Sequence, residues 1–389
     1  MELIGDAGRF HELRGEWSEL LAQSAADCLF LSWEWLYTWW THLSGGRQLY
    51  LLAVWDGGTL IGLAPLAVRP WQVTRLRMFR ALEFMGTGPV GSDYLDVIIR
   101  RGREPEVTEM LAAELTRRGA LVELVQVKGD VSLASAVATR LATDEWQNTK
   151  VHTGVCPYVR LAEHSWDSYL SVLRPKHRDN VRRCLRQLAS RFDVSFRFAE
   201  TDAERRTALT ELLTLHGKRW RTRGGSTAFC TPALLAFHED VSHRALESGW
   251  LRLAVLRLNG VSAAAFYGFR YKRSFYFYQS GFDPDYARYS VGVATLALTI
   301  KSAFAEGADE YDFLHGDESY KFLWTQSVRE LYRLELFPPD LRGWLYRGAV
   351  ETDRAVRRLA RRVLPHVTLQ GLLAVGRRED RGILEEPPR

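Results

Sequence analysis

Between Phe275 and Trp324 the hydrophobic positions switch between a strand period and a helix period and back again. Phe275 to Gln279 alternate as a strand does. Ser280 to Ser290, rich in Gly, Asp, Pro and Tyr, predicts a loop. Ser290 is an N-cap candidate, and Leu296, Ile300 and Phe304 share one face of the helix that follows. Gly307 ends that helix. Tyr311 to Leu314 predicts a second short strand, broken at Gly316. A strand feeding a loop and a helix start with small residues, here Gly292 and Ala294, can hold an anionic group. The first N–H groups of a helix point outward, and its dipole favours negative charge. Close helix packing is the other reading of a lone Gly-x-Ala pair.

The same patterning occurs twice upstream. Leu49 to Val68 and Trp250 to Phe269 each read as strand, polar turn, strand, with Asp56-Gly57-Gly58 and Asn259-Gly260 as hairpin signals. Ala53-Val54 and Ala254-Val255 precede the turns, and small residues follow them. Helical sequence lies before each hairpin: Trp33 to Trp40 in one case, Thr231 to Glu247 in the other, with Thr231 as N-cap and Pro232 at the first helical position. Another strand pair follows each, Leu82 to Met85 with Tyr94 to Ile99, then Phe275 to Tyr278 with Tyr311 to Leu314. The order predicts an α/β chain with mixed sheets, built from a duplicated unit. The boundary falls near residues 150–166, where Val151 to Leu161 reads as an exchanged or bridging strand. Gly86 to Gly91 precedes a predicted strand rather than a helix, so it lacks the oriented N–H groups of a phosphate cradle. It reads as a tight connector or as a substrate-facing loop.

The block at 275–324 resembles the cofactor-binding core of the GNAT superfamily of acyltransferases. Tyr289-x-x-Gly292-x-Ala294 matches the second half of the family's phosphate-loop pattern, with Tyr289 in its first position. Asp312-Phe313, Gly316, Tyr320-Lys321 and Trp324, with Phe30-Leu31-Ser32-Trp33-Glu34-Trp35, resemble more narrowly the CelD-type and FemAB-like branch, whose members are double-GNAT proteins linked to polysaccharide and peptidoglycan chemistry. The resemblance implies tandem GNAT-like domains: residues 1–160 degenerate, residues 161–340 holding the acyl donor, and a helical tail at 341–389. It implies acetyl-CoA or another acyl-CoA as co-substrate, contacted around Gln279, Ser280, Gly281, Ser290, Gly292 and Ala294. A backbone N–H of the splayed strand would bind the thioester carbonyl, Tyr320 would protonate the leaving thiolate, and Asp312, Asp283 or Asp317 would act as base. For Asp312, a buried structural carboxylate is the competing reading. The acceptor would be an amine or hydroxyl on a sugar or small metabolite. Two other functions stay open: an aminoacyl-tRNA-dependent ligase acting on a cell-wall precursor, and a non-catalytic scaffold in polysaccharide biosynthesis.

Charge adds detail. The net charge is +5 over 389 residues. From Leu341 onward eleven Arg stand against six Asp or Glu, so the tail alone accounts for that excess. Val350 to Leu364 has a narrow apolar stripe flanked by Arg, as expected of an amphipathic helix that docks on its own domain, a partner or an anionic membrane surface. The residues after Gly376 are expected to be disordered. Arg178, Arg182 and Arg186 make a basic stripe on a helix opened by Pro175. It is a solvated face or a clamp for phosphate or carboxylate. Arg219 and Arg223, beside Trp220 and before Gly224-Gly225, are further anion-binding candidates on a plain turn or a mobile lid. Lys321 either neutralises an anionic acceptor or pins the fold. The Trp33–Trp40 cluster is core or a carbohydrate platform. Cys28, Cys156, Cys184 and Cys230 are widely spaced, which suggests reduced thiols, and a cytoplasmic location is expected. His238 and His243 are five apart, poor spacing for a metal, and none is expected. No leader pattern, 18-residue apolar run, Gly-x-Ser-x-Gly elbow or P-loop occurs.

Overall fold

The computed structural model describes residues 1–69, 80–129, 131–221 and 226–363. The chain divides into two compact units. The first comprises residues 1–87, 94–152 and 332 onward, the second residues 88–93 and 153–331.

In the first unit β1 (Glu2–Ile4), α1 (Ala7–Glu12), α2 (Arg14–Ala22) and α3 (Trp33–Leu43) precede the hairpin β2 (Gln48–Asp56) and β3 (Thr59–Val68). Then come β4 (Ala81–Phe84), β5 (Ile98–Ile99), α4 (Glu104–Arg118), β6 (Leu121–Lys128) and α5 (Leu133–Ala142). The strand order is β1-β2-β3-β4-β6 and then β13 (Val328–Phe337), with β5 on β3. β4 runs parallel to β6. The partner that follows β4 is therefore β6. The predicted strand Tyr94 to Ile99 shrinks to β5, because Tyr94 has a φ of 60° and Asp96 turns its carboxylate onto the N–H groups of Leu133 and Ala134. Three of the four tryptophans of α3 are core: Trp33, Trp35 and Trp39 are each at most 1% exposed. Trp33 and Trp39 donate their indole N–H to the carbonyls of Phe10 and Thr87. The three buried tryptophans are therefore not a platform for a sugar, while Trp40 on the same helix is half-buried.

In the second unit β7 (Gln147–Arg160), which begins in the first, leads into α6 (Trp166–Val172), α7 (Pro175–Arg191), β8 (Val194–Phe198), α8 (Asp202–Arg221) and α9 (Pro232–Glu247). The hairpin β9 (Leu251–Leu258) and β10 (Val261–Tyr271) follows, then β11 (Ser274–Phe282), α10 (Val291–Ala305) and β12 (Glu310–Asp312). The strand order is β7-β12-β11-β10-β9-β8. Both hairpins turn on two residues of positive φ, Gly57 and Gly58 in one, Asn259 and Gly260 in the other. Such turns match the twist of the flanking strands. The register agrees too: Val54 faces Gly62, and Val255 faces Ala265. α9 is capped as its sequence predicts, Thr231 accepting from the Leu234 N–H with Pro232 in the first turn. The final helix α11 (Leu341–Val363) packs Tyr346 and Val350 against Ala81, Leu121 and Phe337 of the first unit. Among the described residues no helix is long and apolar enough to cross a membrane.

Candidate active site

The site begins with a parting of two strands. β11 and β12 pair in parallel only through Ser274, Phe275 and Tyr276. Beyond Asp312 the chain stays with β7, Phe313 donating its N–H to the Pro157 carbonyl and Gly316 to that of Val155. β11 stays with β10, Ser280 opposite Phe266 and Phe282 opposite Ala264. A gap must open between them. Asp283 bonds Ala263 across the ladder. Antiparallel pairs alternate, so Gly281 and Gln279 also spend their N–H groups on β10, and those of Ser280 and Phe282 face the open side. Within the stretch Gln279 to Gly281 where a donor is expected, Ser280 is thus the residue whose N–H faces the open side, joined by Phe282 just beyond it.

Into this gap points the start of α10. Ser290 holds the N-cap position in the left-handed conformation, φ 54°, and makes no side-chain cap. No acidic or basic residue stands in the first turn. Gly292 has room: a Cβ there would meet nothing nearer than the Phe282 ring at 3.7 Å. Gly281 has none, since a Cβ would lie 2.3 Å from the backbone nitrogen of His216 on α8. Glycine is required there so that helix and strand can touch.

These parts wall a cavity of about 310 Å³, lined by Ser280, Gly281 and Phe282 of β11, by Ser290 to Val293 at the start of α10, and by Arg219, Tyr320, His177 and Trp324 among others. A small-molecule site has this order of size. Arg219 donates from Nη1 to Ser280 Oγ at 2.9 Å, with its guanidinium over the Phe282 ring. Among the described residues it is the one Lys or Arg side chain on the cavity wall. Arg223 lies outside the described residues, as does most of the expected lid. Burial, and Glu318 after it, push the Tyr320 phenol well above its ordinary pKa, so it stays protonated.

Other candidates lie elsewhere, each for a physical reason. Ala294 is packed into the apolar cluster beneath α10. Asp312 is fully buried and holds Arg329 Nη1 at 2.8 Å and the Leu314 N–H, the structural role. Asp283 caps the turn at Asp285 and pairs with Lys218 at 2.6 Å, which lowers its pKa. Asp317 is exposed. None of the three lines the cavity. Lys321, 3% exposed, donates to the carbonyls of Leu314 and His315 and pairs with Glu318. It fastens the turn after β12 rather than facing an acceptor. Arg178 pairs with Asp179 and Arg182 is exposed, and neither reaches the cavity.

The glycine-rich segment supplies support: residues 88–93 belong to the second unit. There the Tyr278 hydroxyl donates to the Val90 carbonyl, and Asp93 accepts the His315 N–H at 2.8 Å. His177 on α7 was hidden in the sequence among basic neighbours, and only its place at the helix start marked it.

Comparison with known proteins agrees with this geometry. Residues 175–322 match the acetyltransferase (GNAT) domain. The chain is similar in fold to FemX, with a TM-score of 0.59 at 12% identity over 85% of this chain and 97% of that one. It is also similar to a conserved protein of unknown function from Bacteroides thetaiotaomicron (TM-score 0.52, 12% identity, 83% and 97% covered). A third likeness is to L-PGS from Bacillus licheniformis (TM-score 0.50, 14% identity, 88% and 96% covered). No curated protein sequence matches. The resemblance to the GNAT superfamily and its FemAB-like, double-GNAT branch is borne out, and the fold is a tandem GNAT-like α/β fold.

Proposed function

We propose that this chain is an acyltransferase that moves an acyl group, acetyl in the simplest case, from CoA to an amine or hydroxyl of a sugar or small metabolite. One observation carries the reading: the parting of β11 from β12 opens onto an uncapped helix start with no acidic side chain. That arrangement suits a diphosphate beside a thioester. The N–H groups of α10 and the Arg219 guanidinium hold the phosphates. The N–H groups of Ser280 and Phe282 point at the thioester oxygen and stabilise the charge that develops on it. Tyr320 gives its proton to the departing sulfur. The thioester is already reactive, so the protein's task is orientation and charge stabilisation.

The test is calorimetric titration with acetyl-CoA and with CoA. Saturable binding at micromolar concentration is expected, and a folded protein that binds neither sinks the reading. A second reading, transfer from aminoacyl-tRNA, draws on the exposed guanidinium row Arg182, Arg183 and Arg186 along α7. It requires tRNA binding that weakens steeply with salt.

A further inference from the structure

His177 takes the third position of α7, its N–H bonded to the Arg174 carbonyl. Its ring stands edge-on to Trp324, centroids 4.6 Å apart at 90°. The residue is 6% exposed, and its Nε2 is buried with no hydrogen-bond partner. A buried nitrogen left unpaired destabilises the fold, so such an atom asks for an explanation. A phenylalanine would pack on Trp324 without that cost. The same ring lines the cavity that holds Ser280, Gly292 and Tyr320.

Acyl transfer needs a proton acceptor, and the three carboxylates expected to serve lie outside the cavity. Among the described residues the titratable side chains on its wall are His177, Arg219 and Tyr320. Arg219 is a fixed cation and Tyr320 a protonated phenol. His216 donates its Nδ1–H to the Ser280 carbonyl at 3.1 Å, which leaves its Nε2, also buried and unpartnered, as the acceptor atom, but unlike His177 it is not on the cavity wall. We propose that His177 is the general base of the transfer. The inference rests on the acyl-CoA reading of the site. As the lone pair of the acceptor nitrogen or oxygen bonds to the thioester carbonyl carbon, His177 Nε2 takes the acceptor's proton. The C–S bond then breaks and its electron pair leaves on sulfur, which takes the Tyr320 proton. The His177 imidazolium returns a proton to the phenolate. Thioester plus amine or hydroxyl gives amide or ester plus thiol, with nothing oxidised or reduced. Burial lowers the imidazole's pKa, which keeps it neutral and ready to accept at pH 7.

The experiment compares the wild-type chain with His177→Gln and His177→Phe, using acetyl-CoA as donor and hydroxylamine, small and uncharged at neutral pH, as acceptor. Thiol release and hydroxamate give the rate, and calorimetry gives donor affinity. Expected are a rate about 10²–10⁴-fold lower in both variants, acetyl-CoA affinity within about threefold, and loss of the acid limb of the rate's pH profile. A melting temperature for His177→Phe at or above that of wild type would fit a nitrogen kept for chemistry. Rates within a few-fold of wild type in both variants would overturn the proposal. So would a parallel fall in rate and affinity, which makes His177 a donor contact. Failure of the wild type to bind acetyl-CoA is read from calorimetry alone. It would remove the reading of the site, and the base with it.

Discussion

The two units run the same course of hairpin, third strand, helix and parallel strand, yet one makes a cavity and the other fills it. In the first, α4 begins with Glu104 and Glu106, and Arg103 before it is held by Glu106 and Asp56. Gly62 of β3 lies so close beneath that turn that a Cβ would stand 2.3 Å from Val107. The space inside is about 20 Å³, walled by Leu, Val and Ala. In the second, α10 begins without charge, and Ala265, in the register position of Gly62, lines a cavity of about 310 Å³. The frame and the site are therefore separable. Two acidic residues and one close helix contact close a site that an uncharged first turn leaves open.

The comparison breaks most readily at Tyr320. Tyr320→Phe keeps the ring and removes the proposed acid, so turnover should fall about 10²–10⁴-fold with acetyl-CoA affinity unchanged. Turnover within a few-fold of wild type, with chemistry rate-limiting, removes Tyr320 from the mechanism. The units should also part in their response to pH. Burial lowers His238 in the second unit to about 3. Between that value and the ordinary imidazole pKa of about 6.5 the unfolded chain binds more protons, so stability falls as pH drops through this window, by up to about 5 kcal/mol. Burial raises Asp96 in the first unit to about 7 despite three backbone donors. There the folded chain binds more protons, and stability falls as pH rises from about 4 to about 7. Urea midpoints against pH should lose the acid slope in His238→Phe and the opposite slope in Asp96→Asn. Unchanged slopes in both would refute the contrast.

Donor binding gives the next test. Gly292→Glu copies into α10 the acidic first turn of α4, and acetyl-CoA affinity should drop at least about 100-fold, since like charges brought together cost several kcal/mol. The melting temperature should hold, because position 292 has space. Unchanged affinity in the folded variant removes the phosphates from this helix start. The smallest effect belongs to the filled unit. Gly62→Ala drives a methyl toward Val107 and should cost about 1–3 kcal/mol in chemical unfolding, with no change in donor affinity. A neutral result would show that α4 can move away and that its closure is not tight.

Local chemistry was legible in the sequence where it acts locally. Asp56-Gly57-Gly58 and Asn259-Gly260 marked both hairpins, because only a few residues accept positive φ. The helix from Val291 followed from period alone, whereas the strand before it runs on to Phe282, past Ser280 where the turn residues predict a loop. Long-range pairing was not legible. The gap exists because residues 313–316 follow β7, whose paired residues lie more than 150 positions earlier, and no local pattern encodes that choice. The roles of Asp312 and Lys321 turn on Arg329 and on the carbonyls of Leu314 and His315, partners set by the same pairing. β13 alternates Leu331, Arg333, Leu334 and Glu335 imperfectly, so period alone does not mark it as a strand.

The order of segments in the first unit has a consequence for synthesis. Its β6 pairs onward with β13, and its Ala81, Leu121, Phe337 and Tyr346 cluster closes only when α11 arrives. A ribosome therefore makes every residue of the second unit before it finishes the first. The nascent chain carries β6 as an unpaired edge through the whole of that interval, the kind of edge on which chains associate wrongly. The last-made unit of this protein is the one that was started first.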